Sequence, residues 1–322
     1  MFKWLFGEKS VGWLGIDLGS SAIKVVELAK REERFYLTNY AVAQFKSESI
    51  FKVDELKEEE VASILKALIS RAQLKNKVAS LSLPVDKTFS TLIDLPAMPE
   101  QELSAAISFE AHKYVPVPLE EVVLDWTMIP PVGEEKSKTA SGDKNQSVEP
   151  AAAPSTIQVL LVAVPKEIIN RLTKIAKLAG LEVAALEQEA FSLARSLIGN
   201  DRSVYLMADL GRRSVDLIVV DGGFVKMSHN CESVGREVIL MEIDRIVNIY
   251  QMRYNKKIEQ CVLTGGRSRE KELADFLNGK LKIPVRVGDP FARVNKNFLL
   301  DPVLQEIGPS LAVAAGLAMR GN

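Results

Sequence analysis

Gly15-Ile16-Asp17-Leu18-Gly19-Ser20-Ser21-Ala22-Ile23-Lys24-Val25-Val26 reads as two β-strands joined by a tight turn. β-Branched and aliphatic residues cluster on both sides of the turn, from Trp13 to Leu28. The same figure returns as Asp209-Leu210-Gly211-Arg212-Arg213-Ser214-Val215-Asp216-Leu217-Ile218. Each copy is a strand, Asp-Leu-Gly, a polar turn and a second strand. Self-similarity at this distance predicts two related domains facing one another.

Such a turn suits phosphate chemistry. Glycine lets the backbone approach a phosphate, while turn N–H groups and serine hydroxyls donate to its oxygens. An aspartate at each strand end, Asp17 and Asp209, suits Mg²⁺ held through water, because Mg²⁺ keeps several waters and takes few carboxylates. Lys24 supplies a point charge. For either copy alone an ordinary hairpin turn is the favoured reading; two copies in register shift the balance toward phosphate. A third element follows in Cys261-Val262-Leu263-Thr264-Gly265-Gly266-Arg267-Ser268. A strand, a Gly-Gly turn and a helix start make a flat floor for a purine, or simply a tight βα connection.

Outward from these motifs, strands and helices alternate, which predicts an α/β architecture. A β run over 35–45 precedes an amphipathic helix over 54–72 with Val61, Leu65, Leu68, Ile69 and Ala72 at helical spacing. Strands are expected at 78–83, 89–95, 122–129 and 157–164. A helix over 100–114 carries Leu103, Ile107 and Tyr114 on one stripe, and another carries Ile168 to Ala176. Residues 132–156 are rich in Gly, Ser, Lys, Glu, Ala and Pro and bury too little apolar area to offset their ordering entropy, so a mobile loop is expected there. Further strands are expected at 204–209, 215–220, 224–228, 260–264 and 285–287, with helices at 238–254, 271–277 and 310–320.

The 322 residues allow two sizeable cores, and a formal net charge of -1 gives no basic excess of the kind that recruits nucleic acid. Two cysteines without a CxxC pair and two separated histidines, His112 and His229, argue against a disulfide framework or a zinc site. No apolar run reaches the 18 or more residues of a membrane span. The opening Phe2, Trp4, Leu5 and Phe6 with Lys3 either pack on the protein's own body or dip into a membrane interface.

The order and spacing of the three elements resemble the actin-like ATPase superfamily over nearly the whole chain. By that resemblance Asp17, Gly19, Ser20, Ser21 and Lys24 are the first phosphate loop. Asp209, Gly211 and Ser214 are the second, and Thr264, Gly265, Gly266 and Ser268 the adenosine motif. Leu186-Glu187-Gln188-Glu189-Ala190-Phe191 and residues 312–320 look like the two helices connecting the domains. Within the superfamily, Phe109-Glu110-Ala111-His112-Lys113-Tyr114-Val115-Pro116-Val117-Pro118, Glu121-Val122-Val123-Leu124-Asp125 and Gly316-Leu317-Ala318-Met319-Arg320 are similar to the PilM-like family of type IV pilus assembly proteins.

The resemblance implies an actin-like (ribonuclease H-like) two-domain fold with an inserted small α+β subdomain. Domain I would comprise 1–83, completed by 183–202 and 300–322. The insert would span 84–182 and domain II 203–299. It implies ATP with Mg²⁺, the metal held by Asp17 and Asp209 through water. It also implies a cytoplasmic scaffold, peripheral at the inner membrane, that binds the N-terminal tail of a bitopic PilN-like partner and works with other pilus inner-membrane and motor components. Only 29 residues separate Gly235 from Gly265, so the helical subdomain of domain II is expected to be shortened or absent, leaving nucleotide less covered and hydrolysis weak or absent. Glu189 and Asp209 are the candidates to orient a water, Glu189 being equally a surface helix residue and Asp209 equally a metal or turn residue. Arg212 and Arg213 either grip phosphates or fill the cleft. Alternative readings are a type II secretion component of the same fold, an FtsA-like division protein, or, less favoured, a small-molecule kinase.

Overall fold

The computed structural model describes residues 11–45, 53–129, 156–232 and 235–321. The segment 1–7 and the loop expected from 132, as far as residue 155, lie outside the described residues. The chain divides into a large unit, 1–88 with 167–322, and a small one, 89–166.

The elements alternate as expected. β1 (Val11–Gly19), β2 (Ala22–Arg31) and β3 (Arg34–Gln44) lead into α1 (Glu58–Arg71) and β4 (Val78–Leu83). The small unit holds β5 (Phe89–Pro96), α2 (Glu100–Ala111), β6 (Val122–Ile129) and β7 (Thr156–Pro165). Then come α3 (Lys166–Ala179), β8 (Glu182–Gln188), α4 (Glu189–Leu197), β9 (Tyr205–Leu210), β10 (Val215–Asp221) and β11 (Phe224–Cys231). The chain continues through α5 (Arg236–Tyr254), β12 (Gln260–Thr264), α6 (Lys271–Lys280), β13 (Val285–Val287), β14 (Val294–Asn295), α7 (Asp301–Ile307) and α8 (Ala312–Ala318).

Two sheets organise the large unit, one in the order β14-β3-β2-β1-β4-β8 and one in the order β11-β10-β9-β12-β13. In each, an antiparallel hairpin, β1–β2 or β9–β10, continues into a parallel partner, β4 or β12. The second sheet is covered on both faces because its residues alternate. Leu206, Ala208, Leu210, Val215, Leu217 and Val219 pack with Ile239, Ile243, Ile246 and Tyr250 of α5 and with Leu273 and Leu277 of α6. Met207, Ile218, Val220 and Val262 face α4 and α8.

Helix α8 serves both sheets. Ala312, Val313 and Leu317 join the core of the second sheet, while Ala314, Ala315 and Ala318 pack with Val26 and Leu28 of the first. Its small residues permit this close approach: a Cβ on Gly15 would collide with the Ala314 carbonyl, and one on Gly316 with the Ser192 carbonyl of α4. The glycines of both end motifs are therefore packing requirements, independent of any ligand.

Several boundaries differ from expectation. Leu186, Glu187 and Gln188 do not open the connecting helix; they end β8, paired in parallel with β4, and the helix starts at Glu189. The partner strand decides this, overriding an Ala- and Glu-rich composition that suits a helix. Arg195 of α4 then clamps Glu187 at 2.8 and 2.5 Å and also donates to the Gly316 carbonyl at 2.8 Å. The small unit, 89–166, is narrower than the expected insert of 84–182. Arg171 of α3 holds Glu58 at 3.3 Å and the Leu56 carbonyl at 2.7 Å, tying that helix to the start of α1. Residues before 300 return to the first sheet, where β14 pairs with β3 and Phe291 is fully buried.

The small unit is a three-stranded antiparallel sheet, β5-β7-β6, closed by α2. Leu103 and Ile107 line its core as expected, joined by Ala111 and Val115, whereas Tyr114 lies beyond the helix and is exposed.

Candidate functional site

The two hairpin turns sit on equivalent frames. Asp17 pairs across its hairpin with Lys24, and Asp209 pairs across its own with Asp216. On the parallel side, Ser82 of β4 donates to Asp17 Oδ1 at 3.4 Å, while Thr264 of β12 stands in register with Asp209. Residues directly opposite on an antiparallel pair share a face, so each hairpin presents two polar side chains together.

Chemically the hairpins differ. Asp17 is buried and its Oδ2 accepts from Lys24 Nζ at 2.8 Å. Burial opposes the Lys24 charge, but Asp17, then Asp209 and Glu189, outweigh it and raise the Lys24 pKa above its ordinary value. Burial pushes Asp209 up to about 6, against the pull of Lys24 and with the push of Asp17. Burial and the charge of Asp209 push Asp216 up to about 7, although Asn230 Nδ2 donates to it at 2.8 Å. Glu189, at the first position of α4, is held well above the carboxylate range by burial and by Asp17, Asp216 and Asp209.

Asp17, Glu189, Asp209 and Asp216 thus act on one another, and Lys24 feels the first three. Such an excess of carboxylates needs protons or a cation, and a hydrated divalent cation satisfies it while inviting phosphate oxygens. Among the described residues no group of three or more His, Cys, Asp or Glu side chains is placed to hold a metal directly. Burial and the neighbouring carboxylates favour the protonated form of Glu189, which opposes its service as a base.

The Gly265-Gly266 turn follows β12. Gly265 has φ +84°, and a Cβ there would meet Asp209 Oδ1 and the Leu210 backbone. Its N–H donates to the Pro309 carbonyl at 3.1 Å, and Arg267 N–H donates to the Leu210 carbonyl at 3.0 Å. Gly266 has open space where a side chain would stand. Thr264 and Ser268 are fully buried: Thr264 Oγ1 donates to the Pro309 carbonyl and Ser268 Oγ to the Gly265 carbonyl, each at 2.8 Å. These two hydroxyls hold the turn.

The family model described as "Type IV pilus assembly protein PilM" matches residues 15–142 and 235–322, more than half of the chain. The chain belongs to the PilM family of type IV pilus assembly proteins. Among solved structures it is similar to a "PilM-PilN type IV pilus biogenesis complex", with TM-score 0.79 and 23% identity over 97% of this chain and 98% of that one. It is also similar to the ethanolamine utilization protein EutJ from Carboxydothermus hydrogenoformans, with TM-score 0.52 and 12% identity over 97% and 90% of the two chains. The cytoplasmic domain of EpsL, from the type II secretion system of Vibrio cholerae, matches with TM-score 0.51 and 8% identity over 97% and 96%. The fold is thus the actin-like one.

For this PilM-family chain, the matched ranges contain the first hairpin, part of the small unit and the Gly265 turn, but not the second hairpin. That hairpin is placed by the register of its strands. The structure brings Asp17, Lys24, Glu189 and Asp209 into one electrostatic cluster. Gly19 and Ser20 lie at the first turn, with Ser20 exposed, and Gly211 and Ser214 lie at the second. Arg212 is exposed. Asp216 was missed. Its signal was in the repeat itself, since it stands seven residues after Asp209 as Lys24 stands seven after Asp17. Between β11 and β12 the described residues hold one helix, α5.

Proposed function

We propose that this PilM-family protein is a type IV pilus scaffold that holds the N-terminal tail of a bitopic PilN-like membrane protein, with ATP and Mg²⁺ in the cleft between its two sheets. Family membership carries the reading, and the likeness to a PilM–PilN complex supports the partner. Among the described residues β5 and β6 are the outer strands of the small unit's sheet, and an extended peptide can add to an outer strand. The partner would keep the protein at the cytoplasmic face of the inner membrane, within reach of the other pilus components.

In the cleft, Asp17 and Asp209 would hold the hydrated Mg²⁺ and Lys24 would meet phosphate oxygens. The turns at Gly19-Ser20-Ser21 and at Gly211 and Ser214 would offer backbone N–H groups and hydroxyls. Bound Mg²⁺ supplies the positive charge that the carboxylates lack. Gly265 and Gly266 leave bare backbone for the base, and Ser268 braces their turn. One helix in place of a subdomain leaves the nucleotide open to water, so turnover is slow or absent and the nucleotide biases the scaffold instead.

A pull-down of a PilN N-terminal tail peptide by the full chain, with a scrambled peptide beside it, tests the partner. Saturable capture of the authentic tail alone is expected. Equal capture of both, or of neither, would sink the scaffold reading.

A further inference from the structure

The end of the first sheet opposite the cleft carries the reverse charge. β1, β4 and β8 run parallel, and Asp17 lies near the end of β1 while Gln188 closes β8. Their starts at Val11, Val78 and Glu182 thus form the far pole. Val11 to Asp17 is about 20 Å at the usual rise per residue of a strand.

Lys75 and Lys77 immediately precede β4, Lys66 and Arg71 lie in the second half of α1, and Lys177 is in the last turn of α3. These five side chains are exposed and form no ion pair with a described residue. Arg31 and Arg34 flank the β2–β3 turn at the same pole. Of the acidic groups there, Glu27 is buried and accepts from Lys75 N–H, Asn76 N–H and Asn76 Nδ2, and Glu33 pairs with Lys30 at 3.2 Å. Glu32 and Glu182 remain exposed.

A recess of about 520 Å³ opens at this pole. Lys66, Lys75 and Lys77 stand around an apolar floor of Ile69, Leu74 and Ala179, and its lining contains no carboxylate. Leu178 is exposed on the adjoining turn of α3.

We propose that this basic pole docks directly on an anionic membrane surface, without the partner protein. Unpaired lysines attract anionic headgroups within a Debye length. Nucleic acid would use the lysines but not the apolar floor between them. With an acidic cleft at one end and a basic pole at the other, a chain of nearly zero net charge still orients in the surface field, cleft outward.

The test is sedimentation of the full chain with phosphatidylcholine vesicles, with and without phosphatidylglycerol, at low and high salt. Binding is expected only to the phosphatidylglycerol vesicles and is lost at high salt. K66E/K75E/K77E lowers that binding by about tenfold or more. K271E/K280E/K282E, an equal change in net charge on exposed lysines of the other sheet's domain, leaves it within about twofold. Thermal unfolding of both variants confirms that each is folded. Absence of binding, binding equal on neutral vesicles, or equal losses in both variants overturns the proposal. Because the vesicles contain no protein, the result is separate from the partner reading.

Discussion

The two hairpins of the large unit share a backbone and part company in charge. At the first, Asp17 faces Lys24 and the pair is nearly self-contained. At the second, Asp209 faces Asp216, and burial leaves both carboxyls with pKa values of about 6 and 7. A duplicated frame thus yields one balanced turn and one that lacks a cation. The first holds the fold together where it stands; the second stores repulsion that a bound cation would release. The same side-chain change should therefore act in opposite directions at the two places.

The largest effect is expected at the turn wedged against the second hairpin. Gly265→Ala forces a Cβ onto Asp209 and the Leu210 backbone at a positive φ, and should cost more than about 3 kcal/mol in denaturant unfolding. A loss under about 1 kcal/mol would show that this turn yields and that the frame is less rigid than its contacts indicate.

Next comes Lys24→Met, which strands the buried Asp17 carboxylate. A loss of about 2–3 kcal/mol at pH 7.5 is expected, below the full value for a buried pair because Lys24 keeps 20% of its side-chain surface exposed. Stability equal to the parent would dissolve the contrast between the hairpins.

The opposite sign is expected from Asp216→Asn. Its folded pKa is raised to about 7, so the unfolded chain releases this proton first. The carboxyl costs nothing below its unfolded value near pH 4 and progressively more as pH rises through 7. The variant should gain on the order of 1–2 kcal/mol over the parent at pH 8 and nothing at pH 4. A gain independent of pH would assign the effect to packing instead.

The smallest effect sharpens the same point. Mg²⁺ alone should raise the stability of the parent by about 1 kcal/mol near neutral pH, and that of Asp216→Asn by less, since the repulsion is already relieved. Thermal unfolding with and without the ion, with Ca²⁺ and Na⁺ controls, measures it. Equal stabilisation of both proteins would place the ion elsewhere.

Much of this was legible before the structure. Asp-Leu-Gly followed by a polar turn fixes a hairpin locally, and its recurrence announced two sheets that each carry such a hairpin. What escaped depended on neighbours distant in sequence. Gln188 ends a strand because Leu83 lies beside it, although Leu186 to Phe191 alone suits a helix. Ser268 turns inward because the Gly265 carbonyl needs a donor. Asp216 was passed over because it was read only as part of a strand; the register that sets it opposite Asp209 is a property of the pair. The basic pole is scattered over α1, α3 and the approach to β4 and becomes a patch only when those ends meet.

The measurement closest to the central claim is calorimetric titration of the full chain with ATP, in Mg²⁺ and again in chelator, beside Asp17→Ala. The account predicts micromolar binding that requires Mg²⁺ and vanishes in the variant. No heat and no stabilisation at millimolar ATP would contradict it, leaving the paired hairpins as a frame that positions partner surfaces and binds no nucleotide.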